Sequence, residues 1–148
     1  MLDAHRRMTM LRRSIMTALA LAAAVAASPA SACAVHTPVS PSAVGAADLV
    51  VVGRIVNYRP GEGGRRATFG VAVAEVLRGR AGRTLAVRLD PTMYGAPRTM
   101  PRAPVLIALR NGGGASGPGL IVLQGMCSPP FILEAGSAPA RAARRLLR

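Results

Sequence analysis

The chain contains no lysine and few carboxylates. The chain has 19 arginines and six acidic residues, so its formal net charge is +13 at pH 7. Neither glycine-rich stretch, GEGG at 61–64 or NGGG at 111–114, resembles a phosphate-binding loop, because neither follows a strand and opens a helix with a lysine. The lysine-free composition is typical of GC-rich genomes, so the charge alone does not define a patch. It does predict attraction to polyanions and anionic membranes.

Aromatic residues are also scarce. Tryptophan is absent, and aromatics make up 3% of the chain, namely Tyr58, Phe69, Tyr94 and Phe131. Proteins that bind single-stranded nucleic acid stack bases on aromatic side chains. Phe69 is expected in the core, so stacking platforms are nearly missing. No nucleic-acid partner is therefore expected, despite the positive charge.

Histidine is limited to His5 and His36. The carboxylates fall in separate predicted elements. Glu75 on one strand and Asp90 at the end of the next could come together, but the sequence does not supply the geometry that a paired-carboxylate site needs. His36 beside Cys33 lacks the repeated close spacing of zinc ligands. We therefore expect no catalytic residues, no cofactor and no metal in the isolated protein, and predict that it is not an enzyme.

Residues 1–32 are predicted to be an export signal. An arginine pair precedes an apolar stretch from Ile15 to Ala27, and Ala30 and Ala32 supply the small-residue cleavage pattern. The apolar stretch is too short to span a bilayer. The arginine pair is compatible with general secretion and with twin-arginine export. The mature protein is expected to begin at Cys33 and to reside in the periplasm or outside the cell.

Cys33 and Cys127 are the two cysteines of the chain. In an oxidising compartment they are predicted to form a disulfide. A disulfide that closes a loop of 94 residues (127 − 33) would raise the free energy of unfolding by about 4 kcal/mol in the chain-entropy model. A lipid on Cys33 is the alternative, although Ala30 stands where lipoprotein signals usually have leucine.

Five strands are predicted from runs of β-branched and alternating residues. They are DLVVVGRIVNY from 48, ATFGVAVAEVLRG from 67, RTLAVRL from 83, VLIALR from 105 and LIVLQG from 120. The second is expected to place Phe69, Val71, Val73, Glu75 and Leu77 on one face. The other face is expected to carry mostly small residues: Thr68, Gly70, Ala72, Ala74 and Val76. In the third, Leu85, Val87 and Leu89 are expected to point inward. Gly53 and Gly70 are expected at bends or bulges.

Five strands and one core predict an all-β, antiparallel barrel over residues 33–136. The proline-rich stretch 90–104 is predicted to be a long loop. In the tail, 137–148, four arginines recur at helical spacing opposite apolar residues: Arg141, Arg144, Arg145 and Arg148 opposite Ala142, Ala143, Leu146 and Leu147. This pattern predicts a short basic amphipathic helix that lies against the barrel, with docking on a membrane surface as the alternative.

The order of several segments resembles the netrin-like module, the OB-type barrel of the tissue inhibitors of metalloproteinases. They are the cysteine at the processed amino terminus, ADLVVVGRI, the F.V....VLRG pattern, PVLIAL and GMCSPP. The resemblance covers residues 33 to 133. It implies a five-stranded, antiparallel OB-type barrel.

In that family the first mature residue is a cysteine whose amine and carbonyl oxygen chelate the zinc of the target protease, and a disulfide holds this end rigid. Cys33 occupies the matching position, and Cys127 resembles the cysteine after the fifth strand. The family begins with two cysteines separated by one residue, whereas this chain has Val35 at the second position. Ala34 stands where the family inserts a side chain into the protease pocket, and it would bury little area.

The leading hypothesis is an exported binding module whose contact surface comprises the amino-terminal residues and an adjacent loop: Cys33, Ala34, Val35, His36, Thr37 and Tyr94. Its partner would be an unidentified protein, with a metalloprotease as the candidate. The alternative is a structural envelope protein, anchored by a lipid on Cys33 or held to anionic surfaces by its arginines. Acylation would consume the amine that chelation requires, so the two hypotheses exclude each other.

Overall fold

A computed structural model of the protein describes residues 38–64, 66–90, 96–113, 118–125 and 128–148. Within these ranges the chain forms six strands and one α-helix. They are β1 (Leu49–Pro60), β2 (Ala67–Arg78), β3 (Thr84–Leu89), β4 (Val105–Asn111), β5 (Leu120–Val122), β6 (Ile132–Glu134) and α1 (Ala138–Arg145). A 3₁₀ helix, Pro41–Ala46, precedes β1, and a shorter one, Glu62–Gly64, lies in the β1–β2 hairpin.

Five of the described strands close into a mixed barrel with the order β1-β2-β3-β5-β4 and a return to β1. The closing pair is antiparallel, with Val51 opposite Ile107. β3 and β5 are parallel, with Val87 opposite Leu120. The predicted all-antiparallel barrel is therefore wrong at this one junction. A closed ring with an odd number of strands cannot alternate in direction throughout, so one neighbouring pair has to be parallel.

The barrel interior holds the main apolar cluster. The inward side chains come from all five barrel strands, and the fully buried ones include Val51, Val71, Val105, Ile107 and Leu109. The prediction for the third strand is confirmed, because Leu85, Val87 and Leu89 all belong to this cluster.

A second apolar cluster covers the outer face of β1 and β4. Val50 and Leu106 on these strands are fully buried beneath Val44 of the first 3₁₀ helix, Phe131 and Ala143 of α1. The sequence predicted a single core, but burial of both faces of two strands requires this second layer. The sixth strand, β6, which was not predicted, extends it by pairing with β4.

Helix α1 confirms the predicted short helix in the tail. The side chain of Ser137 caps its amino end by accepting a hydrogen bond from the backbone N–H of Ala140 at 3.3 Å. Ala140 and Ala143 are buried, and Leu147 packs in the second cluster. Leu146, predicted on the apolar face, is instead 61% exposed, because the helix ends before it and the chain turns.

The alternation of inward and outward side chains on β2 is not continuous along the strand. Phe69, Val71 and Val73 point into the barrel as predicted, but Leu77 packs in the outer cluster. The register against β1 shifts between Val52 and Gly53 and again between Val50 and Val51. Each bulge adds one residue to β2 and reverses the faces beyond it. The predicted common face of Phe69 and Leu77 is therefore wrong, whereas the prediction of a bulge at Gly53 is confirmed.

We predict that Gly53→Ala destabilises the barrel. A Cβ at this position would collide with the carbonyl oxygen of Ala72 on β2 and lie 3.0 Å from Cγ1 of Val71. The free energy of unfolding should fall by about 1–3 kcal/mol, measured by urea denaturation. The matched control is Gly82→Ala, whose Cβ would meet no atom within 4 Å and should change stability by less than about 0.5 kcal/mol. Equal losses in both variants would contradict the proposed close contact.

Candidate functional site

The residues predicted to form the contact surface lie outside the described residues. These are Cys33, Ala34, Val35, His36, Thr37 and Tyr94, together with Cys127 of the predicted disulfide. The structure instead describes the residues that flank them. Their positions define the candidate site.

The first described residues of the amino-terminal segment lie beside the residues that flank Cys127. Pro38, Val39 and Ser40 line a small cavity of about 110 Å³ together with Gly125 and Ser128. Pro129 and Phe131 also line this cavity. The chain just after Thr37 and the chain on both sides of Cys127 are therefore neighbours.

Hydrogen bonds fix the segment that flanks Cys127. The Ser128 N–H donates to the carbonyl oxygen of Gly125 at 3.3 Å. The side-chain amide of Gln124 donates to the carbonyl oxygen of Ser128 at 2.9 Å. The Phe131 N–H donates to the carbonyl oxygen of Leu123 at 2.9 Å, and the Phe131 ring is buried. This segment is thus attached to the end of β5 and to the outer cluster.

The amino-terminal segment is anchored on the same side of the barrel. The Ala43 N–H donates to the carbonyl oxygen of Ser40 at 3.0 Å, which begins the first 3₁₀ helix. Val44 and Ala47 are buried in the outer cluster. Residues 38–47 are therefore attached to the outer face of β1 and β4.

An apolar cavity of about 310 Å³ adjoins this region. Its lining residues come from the loop before β4, the segment before β6 and the first residue of β6: Pro97, Thr99, Met100, Pro101, Pro129, Pro130 and Ile132. Pro129 lines both this cavity and the smaller one next to the amino-terminal segment. The two cavities thus share a lining residue, and we call their combined lining the apolar strip.

The loop that lines the apolar cavity is held by side chains of β1. The Tyr58 hydroxyl donates to the carbonyl oxygen of Pro97, and Arg54 donates to the carbonyl oxygen of Arg102 at 3.2 Å. The described residues of the predicted loop, 90 and 96–104, contain no helix or strand, as predicted. Burial raises the pKa of the Tyr58 phenol above its ordinary value of 10.0, because desolvation disfavours the phenolate.

A larger, open trough of about 660 Å³ lies on the outer face of β2 and β3. Its floor is made of small residues that point away from the core, including Thr68, Gly70, Thr84 and Ala86. Its walls come from the end of β1, from Arg88 of β3, and from the loop before β5 with the first residue of that strand: Asn57, Arg59, Arg88, Pro118, Gly119 and Leu120. Sequence reasoning identified the small residues on alternate positions of β2 but did not predict this feature.

The two carboxylates considered for a paired site do not meet. Glu75 lies near the carboxyl end of β2 and pairs with Arg144 of α1 at 2.8 Å. Asp90 follows Leu89, which is opposite Ala67 at the other end of β2, and pairs with Arg88 at 2.8 Å. Eight residues of strand separate Ala67 from Glu75, which is about 26 Å. The described residues also contain no group of three or more histidine, cysteine or acidic side chains that could hold a metal.

Comparisons with known proteins do not assign the chain. No model of a protein family matches it, and no curated protein matches its sequence significantly. Among the described residues, no helix combines the length and the apolar character needed to cross a membrane.

We predict that Tyr58→Phe frees the loop before β4. Loss of the hydrogen bond to Pro97 should lower the free energy of unfolding by about 1 kcal/mol. In the folded wild type the raised pKa keeps Tyr58 protonated above pH 10, while the unfolded chain ionises there. Stability should therefore fall more steeply above pH 10 in the wild type than in Tyr58→Phe.

An absorbance titration of the mature protein checks the assignment of this phenol. In Tyr94→Phe, Tyr58 is the one tyrosine left, and the absorbance titration should give a pKa above 10. A pKa of 10 or below in that variant would show that the Tyr58 hydroxyl is not held in the buried position described.

Proposed function

We propose that the protein is an exported, single-domain binding module of netrin-like type that acts through its processed amino terminus at Cys33. The observation that supports this most is that Pro38–Ser40 line the same small cavity as the residues that flank Cys127. An amino terminus can act as a rigid contact element when its approach is fixed, because no ordering entropy is then lost on binding.

The same proximity supports a disulfide between Cys33 and Cys127. Cys33 is five residues before Pro38, and an extended chain of five residues reaches at most about 17 Å. Ser128, directly after Cys127, lines the same 110 Å³ cavity as Pro38. Cys33 is therefore within reach of Cys127, and a disulfide would attach the amino terminus to the end of β5.

The strand order supports an OB-type assignment of the barrel. β4 lies beside β1, and the sequence β4-β1-β2-β3 is the spatial order of a Greek key. OB-type barrels are five-stranded Greek-key barrels. The parallel pairing of β3 with β5 is compatible with this order.

In the metalloprotease-inhibitor version of the proposal, the ligand atoms are the α-amine and the carbonyl oxygen of Cys33. They would displace the water on the zinc of the protease, and this zinc belongs to the partner. The apolar strip includes Met100 and Pro129 and lies next to the amino-terminal segment. It could contact the rim of such a partner. Ala34 would contribute little burial, so this strip would have to supply area.

A structural envelope role is the second candidate, and the charge distribution supports it. Residues 33–148 contain 15 arginines and five carboxylates, a surplus of ten (15 − 5). Arg145 and Arg148 are exposed on or just after α1, beside the exposed Leu146. Such a surface would bind anionic lipid headgroups in a salt-dependent way.

Intact-mass spectrometry of the exported protein, before and after reduction, tests both candidates. The binding-module proposal predicts a chain that begins at unmodified Cys33 and gains two hydrogens on reduction. An acyl or diacylglyceryl increment on Cys33 would overturn it in favour of the lipid-anchored alternative. Two free thiols in the unreduced protein would exclude the disulfide.

An inhibition assay against a panel of zinc metalloproteases then tests the chemistry at Cys33. The matched control variant carries one extra alanine before Cys33, which moves the amine but leaves the disulfide intact. Inhibition by the native protein, and its loss by at least about tenfold in the extended variant, is expected if the amine is a zinc ligand. Equal inhibition by both proteins would exclude chelation by the Cys33 amine.

A further inference from the structure

Asn111 is the last residue of β4 and is followed directly by Gly112. Asparagine is thermally labile, because the backbone nitrogen of the next residue can attack its side-chain amide. A glycine in that next position has no Cβ to hinder the attack. Asn111 is exposed, so water reaches the reacting groups. The other asparagine of the chain, Asn57, precedes a tyrosine, so its sequence context is less favourable for the same reaction.

The reaction at Asn111 needs water as its one co-reactant. The Gly112 nitrogen attacks Cγ of Asn111, a C–N bond closes a succinimide ring, and the Cγ–Nδ2 bond breaks. Ammonia leaves with the proton of the Gly112 N–H. Water then opens the ring at either carbonyl, which gives aspartate or isoaspartate, the second with the backbone running through Cβ. Both products carry a carboxylate where the native chain has a neutral amide.

Three hydrogen bonds engage the reacting groups in the folded protein. The side-chain amide of Asn111 donates to Oδ2 of Asp48 at 3.3 Å, and the Asn111 backbone N–H donates to the same oxygen at 2.8 Å. The Gly112 N–H donates to the carbonyl oxygen of Gly119 at 2.6 Å. Attack requires the Gly112 nitrogen to lose its proton and the Asn111 side chain to turn toward it. These bonds therefore have to break first, in a local opening at the end of the β4–β5 hairpin.

Asp48 and Asn111 lie at one end of the junction between β1 and β4. The Asp48 N–H donates to the carbonyl oxygen of Leu109 at 2.9 Å, and Leu109 is opposite Leu49, the first residue of β1. A carboxylate at position 111 would face the Asp48 carboxylate where an amide now donates a hydrogen bond. The two negative charges would repel each other, and the donor would be lost. Deamidation should therefore weaken this end of the β1–β4 junction.

We propose that Asn111 is a site of spontaneous deamidation, that its contact with Asp48 restrains the reaction, and that the carboxylate produced loosens the β1–β4 junction. The modification converts the protein slowly and in one direction to a less stable form. It involves neither the amino terminus at Cys33 nor the apolar strip, so it goes beyond the function proposed above. Either proposal can fail its test while the other passes.

Peptide mapping by mass spectrometry, after incubation of the purified protein at mildly alkaline pH, tests whether the site reacts. One digest reports both asparagines, and an unincubated sample corrects for conversion during digestion. Asn111 should convert to aspartate and isoaspartate at least about tenfold faster than Asn57, and Gly112→Ala should slow the conversion of Asn111 by a similar factor. Equal rates for the two asparagines, or for the wild type and Gly112→Ala, would overturn the assignment of the site.

Asp48→Ala tests the restraint, because it removes the acceptor of both Asn111 hydrogen bonds. Conversion of Asn111 should become at least about threefold faster, since the open state is more populated. The matched control is Glu62→Ala, which removes an exposed carboxylate from the β1–β2 hairpin and should leave the rate within about twofold of the wild type. Equal rates in the wild type and Asp48→Ala would overturn the restraint.

Asn111→Asp reproduces the charge of the product and tests its consequence. Its Tm should fall by about 3–6 °C, and by more than that of Asn111→Ala, which loses the donor without adding a charge. Asp48→Asn in the Asn111→Asp background again places an amide opposite a carboxylate, and it should restore at least about half of the lost Tm. Equal Tm values for Asn111→Asp and Asn111→Ala, or no recovery in the double variant, would overturn the proposed repulsion.

Discussion

The pairing of β1 with β4 is the interaction on which the rest of the structure depends. Val51 lies opposite Ile107 and faces the barrel interior, while Val50 lies opposite Ala108 and faces the outer layer. Both strands are therefore buried on both faces. This one antiparallel junction closes the ring and provides the surface on which the first 3₁₀ helix, α1 and β6 pack. Without it, neither apolar cluster would be complete.

Double burial also explains which parts of the fold could be predicted. The continuous runs LVVV in β1 and VLIAL in β4 are typical of strands covered on both sides. They predicted strands correctly, although the second layer they require was not inferred from them. The inward residues of β3 were predicted correctly because this strand has one buried face and its apolar and polar residues alternate regularly. β6 has three residues and no periodicity of its own, so only its contact with β4 defines it.

The candidate sites were less predictable because they depend on register and on contacts between distant segments. The proximity of Pro38 to Gly125 and Ser128 follows from packing on a shared outer layer, which no local pattern encodes. The alternation of Thr68, Gly70 and Ala72 indicated a face of small residues. Whether that face is covered depends on where the tail helix lies, and the sequence of the tail indicates only that it is amphipathic. The arginines that flank Thr68 come from two other strands and are aligned by pairing alone.

The parallel junction between β3 and β5 involves two residue pairs, Val87 with Leu120 and Arg88 with Ile121, whereas β1 and β2 pair over most of their twelve residues. The contacts of the β1–β2–β3 meander and of the β4–β5 hairpin are local in the chain, but the β3–β5 and β1–β4 junctions join segments far apart in sequence. Loop closure is therefore the main entropic cost of completing the ring, and the meander can form before it. The ring therefore combines an extensive β1–β2 pairing with a short β3–β5 junction. Separation of β3 from β5 breaks the fewest residue pairs in the ring, so it is the least costly route by which water could reach the barrel interior.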